Sequence, residues 1–473
     1  MDFSAANTTL WGAIISFGTL ATILLVSNLL LRKITFLRKL LIPTSVLAGF
    51  IALGLKMAGL LDFISQDFLD MVTYHGIAIG FIAMSLRVPN DSEEFRRSGT
   101  SFRSGAIIIG GYVIQALTGL AVSMLLMKDI FPAAGILLPM GYGQGPGQAN
   151  NVGTTYEAAG FRGGQAFGLS IAAAGYLCAC TVGIIIVFIL RARGRIQKAS
   201  SDFVSGLASV DTFQDQKEIP ISQSIDRFTI QAALVLAIYL LTYLVTWGVT
   251  SALSAYAPGL ANTLNSLLWG FNFIIGSALA LAVRAIFKGC RKIGIMKRQY
   301  PNNYLLSRLS GAAFDIMIIC GIAAIDINDL AGLWKPFIVM AVAGCIVTAI
   351  YLAICCKKVY KGYSIEGFLG MFGMQTGTIS SGIVLLREAD PEFTTPAANQ
   401  LVTGSSFAIL LGAPMMLLVG MAYQPGKLPL TLILLGVYFL VMMLIVFSRS
   451  RSERKAGKEA DSAETVSESE AKE

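Results

Sequence analysis

Charged side chains are scarce in this sequence. They make up 14% of its 473 residues, where a soluble domain usually carries about a quarter. Histidine is scarcer still, and the single His75 leaves no histidine pair for a metal or for general-base chemistry. The seven cysteines show no Cys-x-x-Cys or Cys/His spacing. Six of them (Cys178, Cys180, Cys320, Cys345, Cys355 and Cys356) fall in apolar segments, so they read as small buried apolar residues rather than ligands. No nucleophile–base pair stands out, and no Lys-Ser/Thr follows a glycine run as a phosphate-binding loop requires. These absences speak against an enzyme.

Hydrophobicity is what the chain has in quantity, at 55%. Apolar runs of membrane-spanning length recur; a soluble core could hide one of them but not ten. Eleven spans are read, at 10–31, 40–61, 71–86, 105–127, 164–190, 228–247, 264–286, 305–325, 330–356, 396–421 and 430–447. The net charge of +8 does not indicate nucleic acid, because the Lys and Arg residues sit in short loops between spans rather than on one face. Their distribution sets the orientation. With the N-terminus outside, the cytoplasmic loops carry Arg32, Lys33, Arg96, Arg97, Arg191, Arg193, Lys288, Arg291, Lys357 and Lys358, and the tail carries Arg449 and Arg451. The opposite side carries only Lys128, Arg162, Lys335 and Lys427, beside Asp62, Asp67, Asp70, Asp326 and Asp329.

That asymmetry holds only if 131–162 and 363–387 each enter and leave on one side. The apolar lead-in from Phe131 to Met140 gives about 15 Å of helix, half a bilayer, before Gly and Pro break it. Both segments are therefore expected to be re-entrant hairpins, the first from outside and the second from inside. Each half then has five spans, an odd number, which turns the second half upside down as in secondary transporters. The expected fold class is all-α: a polytopic membrane protein of two inverted five-helix repeats, each with a re-entrant hairpin, plus one extra C-terminal helix. The first repeat covers 1–198, a cytoplasmic linker 199–227, the second repeat 228–421, the extra span 422–448 and a charged, disordered cytoplasmic tail 449–473. A faint echo pairs Gln144 with Gln375, Glu157 with Glu388, Ala158 with Ala389 and Ala166 with Ala397 at one constant offset.

The two breaks carry the candidate chemistry. The first reads Gly141-Tyr142-Gly143-Gln144-Gly145-Pro146-Gly147-Gln148-Ala149-Asn150-Asn151. An irregular backbone at membrane depth survives where it lines a protein-enclosed, wet cavity, and glycine lets a ligand come close to the main chain. The amides offer donors and acceptors without fixed charge, which suits a zwitterion or carboxylate that has to bind and then leave. Gly141, Tyr142, Gly143, Gln144, Gly145, Gln148, Asn150 and Asn151 are the candidate substrate residues, together with Gln375 and Thr376 of the second break. The hydroxyls and carbonyls of Gly377, Thr378, Ser380 and Ser381 are hard oxygens that match sodium better than a soft metal. Asp315 joins them as a cation ligand, because a carboxylate inside a span is costly and is a functional candidate by default. No cofactor other than a coupling ion is expected. Lys56 is read as snorkelling and His75 as structural near an interface. Arg162 and Arg387 either reach a substrate carboxylate or pair locally with Glu157 and Glu388. The residues alone lead to a cation-coupled transporter, by sodium or protons, of a small anionic or zwitterionic solute. A channel built from broken helices is the other class.

Several of these residues resemble one family. Arg32-Lys33 followed by Leu40-Leu41-Ile42-Pro43 and Gly49, the Gly141–Gly145 run, Glu157-Ala158-Ala159-Gly160-Phe161, Phe372-Gly373 and the stretch from Thr376 to Ser381 are similar to the sodium/glutamate symporters, over roughly residues 10–421. Tyr142 stands where that family has His, and Gln144 where it has Thr. The resemblance implies sodium-coupled glutamate uptake across the cell (inner) membrane by a homodimer.

Overall fold

The computed structural model describes residues 3–4, 7–39, 42–88, 99–196, 224–256, 265, 268–270, 272–296, 300–390 and 395–448. Among them every regular element is helical. In chain order these are α1 (Thr8–Lys33), α2 (Thr35–Lys39), α3 (Thr44–Met57), α4 (Gln66–Leu86), α5 (Gly99–Leu126), α6 (Leu137–Tyr142), α7 (Pro146–Ala158), α8 (Gly164–Ala192) and α9 (Ser224–Tyr256). They continue with α10 (Asn272–Lys292), α11 (Asn303–Ala323), α12 (Trp334–Val359), α13 (Ser364–Thr376), α14 (Ile379–Arg387), α15 (Ala397–Leu411), α16 (Ala413–Ala422) and α17 (Leu428–Phe447). Among the described residues nine helices are long and apolar enough to cross a membrane, and α15 with α16, bent by 55°, makes a tenth if taken as one span. The chain is a multi-pass, all-helical membrane protein.

Three expected elements differ. The 40–61 span is the 14-residue α3, about 21 Å long against a hydrocarbon core of roughly 30 Å. Pro43 precedes it and Gly59, at φ 74°, follows it, so its described length is fixed by backbone chemistry at both ends. Residues 40 and 41 lie outside the described set. The 71–86 span starts earlier, at Gln66, because the Ser65 hydroxyl accepts from the Phe68 N–H at 3.2 Å and Asp67 in the first turn suits the helix dipole. The Gln66 amide is satisfied by donation to the Ala324 carbonyl at 2.9 Å. His75 consequently sits halfway along α4, with Nδ1 2.6 Å from the Tyr239 hydroxyl. Finally, α9 begins at Ser224, inside the segment assigned to the linker. The rest of that linker and the 449–473 tail lie outside the described residues.

The apolar cores separate the helices into two groups. One core runs through α5, α6, α7, α8, α12, α13, α14, α15, α16 and α17, and Ala78 of α4 and Phe273 of α10 join it. Two smaller cores hold the other group: α1, α3, α4 and α11 meet one face of α8, and α4, α9, α10 and α11 pack together. Within this second group the packing is reciprocal. α4 lies against α11, α3 rests on α11 as α10 rests on α4, and α1 lies on α3 as α9 lies on α10. Two helix ends are closed by cations. Arg103, buried in α5, donates from Nε to the Val446 carbonyl in the last turn of α17 at 3.0 Å. Arg284 donates to the Arg87 carbonyl just past α4 at 2.7 Å. Each places positive charge at a helix C-terminus, where the dipole favours it.

A tight backbone-to-backbone approach in the larger group is between Gly119 of α5 and Gly135, where a Cβ on either residue would overlap the backbone of the other. Small residues let backbones meet where lipid gives no hydrophobic drive. Gly135→Val is expected to cost about 1–3 kcal/mol or more by overpacking, seen as a lower Tm in fluorescence-detected size exclusion. Gly18→Val, at a site with nothing within 4 Å, is the matched control and leaves Tm unchanged. Equal melting of the two variants would disprove the contact.

Candidate functional site

Local chemistry breaks the helix between α6 and α7. The N–H groups of Gly143 and Gln144 both reach back to the Pro139 carbonyl, at 3.0 and 3.2 Å, and that of Gly145 to Gly141 at 3.2 Å. Gly145 then takes φ 84°, open to glycine at little cost. Pro146 starts α7 at a position that needs no N–H. The Phe131 and Phe161 rings stack with centroids 5.1 Å apart, so the segment between them doubles back and its ends touch. The second break is built differently. α13 stops at Thr376, Gly377 leaves the helical region, and Thr378 caps α14 with its hydroxyl toward the Ser381 N–H, 3.4 Å away. Gly382 faces the Gly370 carbonyl, and a Cβ on Gly373 would lie 2.7 Å from the Ser381 carbonyl, so these two arms also lie side by side.

The two tips are neighbours. Gly175 of α8 lies against both the Thr376 carbonyl and the Tyr142 ring. Gln115 of α5 donates to the Gln375 carbonyl at 3.0 Å and to Thr348 Oγ1 at 2.8 Å, tying the second tip to α5 and α12. Beside the tips lies a cavity of about 190 Å³, lined by Gly143 and Gln144 from the first and by Gly377, Thr378 and Ile379 from the second. Asp315 of α11 and Ser45, in the first turn of α3, line it from the other helix group. The Ser45 hydroxyl is buried, within electrostatic reach of the Asp315 carboxylate but short of an ordinary hydrogen bond to it. Phe81, Phe273, Phe314, Met317 and Met374 supply apolar wall.

The remaining expected site residues are not on this lining. Gly141 packs on the Ala172 backbone, and Tyr142 donates its hydroxyl to the Ala341 carbonyl at 2.7 Å. Gly145 makes the break itself. Gln148 is fully buried in α7, with neither amide atom hydrogen-bonded among the described residues. The Asn150 carbonyl oxygen accepts from Gln165 at 2.8 Å, and Asn151 donates to the Gly270 carbonyl at 2.7 Å. Gln375 donates to the Ile107 carbonyl at 3.3 Å and Thr376 to Phe372 at 2.8 Å. Ser381 is buried with its hydroxyl 3.5 Å from that of Thr378, and the Ser380 side chain lies outside the described residues. Neither Arg162 nor Arg387 lines the cavity. Glu388 pairs with Arg191 of α8 instead of its neighbour, and Glu157 accepts from the Gln165 N–H at 3.1 Å. Lys56 donates to Gln66 at 2.6 Å.

Sequence reasoning passed over Tyr112, Ser45, Met374 and Ser405, all on the lining, and the tip-binding Gln115. Two signals were present. Gln115 is an amide within an apolar span, which hydrocarbon penalises unless it is paired. Gly110-Gly111 beside Tyr112 marks a close approach, and the Gln375 amide presses on Gly111. Among the described residues no three His, Cys, Asp or Glu side chains gather as a metal cluster. The lining oxygens are those of one carboxylate, hydroxyls and an amide, a hard and weakly charged set.

Valine at 143 would drive a Cβ into the Tyr112 ring, so its effect comes through that ring and not only through lost access to the main chain. Under the transporter expectation drawn from the sequence, Gly143→Val should lower uptake by at least about tenfold through overpacking at the lining, with membrane insertion intact by size exclusion. Gln144→Ala should raise the apparent half-saturation constant about two- to tenfold, the loss of one neutral hydrogen bond. Wild-type kinetics in both would remove the tip from the site. Compared with known proteins, the chain matches no protein-family model and no curated protein sequence.

Proposed function

We propose that this chain is a secondary active transporter, not an enzyme, carrying a small carboxylate-bearing solute of amino-acid size with a coupling cation, sodium, by alternating access. The observation behind this reading is where the cavity lies. Its walls come from two helix groups that each have apolar packing of their own and meet through Ala78 of α4 and Phe273 of α10, both hairpin tips standing on one wall and Asp315 on the other. A site at such a seam opens to one side or the other as one group moves against its neighbour while each keeps its internal packing. The reciprocal packing of α3 on α11 and α10 on α4 supports two inverted halves. The stacked ends of the first hairpin support a re-entrant segment. The charge asymmetry of the loops supports an N-terminus outside and a C-terminus in the cytoplasm, with the protein in the cell membrane.

Each lining group then has a task. α14 starts at the cavity, with Thr378 and Ile379 on its wall, and the partial positive charge of a helix start suits a carboxylate. Asp315, with the hydroxyls of Ser45 and Thr378 on the same lining, offers hard oxygens to sodium. Gln144 gives a directional hydrogen bond without fixed charge, so binding stays reversible.

In proteoliposomes the wild type should show saturable uptake that rises with an inward sodium gradient. A unit charge pair at 4 Å is worth about 4 kcal/mol at an effective dielectric near 20. Asp315→Asn should therefore raise the apparent sodium constant by at least about tenfold while leaving solute selectivity in place. Unchanged sodium dependence in that variant would remove Asp315 from the cation site. A non-saturating ion current without solute uptake would assign the chain to the channels.

A further inference from the structure

The cavity lining carries a charge balance that any occupant has to meet. Among the described residues Asp315 is the one acidic side chain on it, and no lysine, arginine or histidine lines it. Ile77, Phe81, Phe273, Phe314, Met317 and Met374 surround these few polar groups. In such surroundings an unpaired charge is strongly disfavoured. One monovalent cation held by Asp315 brings the site to neutrality, so a solute that shares the cavity has to be neutral overall. A carboxylate and an ammonium on one molecule meet that condition: the carboxylate faces the start of α14, and the ammonium balances it without help from the protein. A second carboxylate meets no base among the described lining residues. The apolar side chains favour an apolar body, and a cavity of about 190 Å³ suits one of metabolite size.

We infer that the solute is a zwitterion with an apolar body, a neutral aliphatic or aromatic amino acid, and not a dicarboxylate such as glutamate. This rests on the transporter reading and on Asp315 as the cation ligand. The lining, rather than the tips alone, sets the selectivity. The tips supply groups that recognise any α-amino acid, whereas Phe314, Met317 and their neighbours receive the part that distinguishes one amino acid from another.

The test uses full-length protein in proteoliposomes with an inward sodium gradient, and radiolabelled leucine, phenylalanine, glutamate, succinate and isoamylamine. Sodium-driven uptake of leucine or phenylalanine is expected. A preference of about a hundredfold over an anion with an unpaired carboxylate means that a tenfold excess of glutamate or succinate leaves leucine uptake nearly intact. Leucine should also bind the detergent-solubilised protein in sodium chloride and not in choline chloride. Sodium-driven glutamate or succinate uptake without leucine uptake overturns the inference and leaves the transporter reading standing. Sodium-independent uptake of isoamylamine, lost in Asp315→Asn, assigns the carboxylate to the solute and overturns the charge balance. Monodisperse protein that neither binds nor moves any of the five solutes overturns both the inference and the transporter reading.

Discussion

Hydrocarbon does not hydrogen-bond, and an unpaired peptide group inside a bilayer costs several kcal/mol. That constraint decides where this chain can be irregular. The breaks at Gly143–Gly145 and Gly377–Thr378 interrupt helices in the interior of the protein, and each needs substitute partners. At the first, N–H groups curl back onto Pro139 and Gly141, and Pro146 removes one donor from the account. At the second, Gln115 reaches across from α5 to take the Gln375 carbonyl, and Thr378 caps the restarted helix. Each break is tolerated because the other elements close over it: Gly175 admits the Thr376 carbonyl and the Tyr142 ring to the same point on α8. The tips are thus held next to one another by the same contacts that make their irregularity affordable.

The division of the apolar core has a consequence for motion. Side chains that interdigitate within one group resist rearrangement, since interiors are packed as densely as organic crystals. A seam between groups is the place where sliding disrupts least. The cavity lies on that seam and takes residues from α3, α4, α10 and α11 on one side and from α5, both hairpins, α15 and α16 on the other. α8 contributes to both cores through different faces, with Leu169, Ala173 and Tyr176 in one and Phe167, Ile171 and Cys178 in the other. In the proposed cycle it is the element along which the two groups would shift.

Much of the helical layout was legible in the sequence because span length and loop charge are local quantities. The runs at 10–31, 105–127, 164–190, 330–356 and 430–447 correspond to α1, α5, α8, α12 and α17, with α5 starting six residues earlier than expected and the other ends agreeing within four. The expected positions of both breaks were legible too, since Gly145-Pro146 in the first and the Gly/Thr-rich run to Gly377-Thr378 in the second, each after an apolar run, are backbone statements that need no partner. α3 was overestimated because apolar composition continues on both sides of it while Pro43 and Gly59 end the helix. α4 was underestimated because Gln66, Asp67 and Asp70 look like loop residues until Ala324 and Ser65 are present to satisfy the helix start.

The candidate site divides along the same line. Composition determined that polar groups concentrate at two breaks and that Asp315 lies inside a span. Which of those groups meet was decided by tertiary structure, because the face a helical residue presents is fixed by what the helix packs against. After the break α7 turns Asn150 and Asn151 toward Gln165 and Gly270, so only Gly143 and Gln144 of the first tip remain on the lining. Glu388 finds Arg191, distant in sequence, in place of the adjacent Arg387. Ser45 comes to the same cavity as Asp315 because α3 and α11 cross. The sequence by itself determined the membrane, the breaks and the scarcity of charge. Only the folded packing decided that one carboxylate, two helix breaks and an apolar wall share a single cavity, since bringing together residues far apart in the chain depends on contacts that no local pattern encodes.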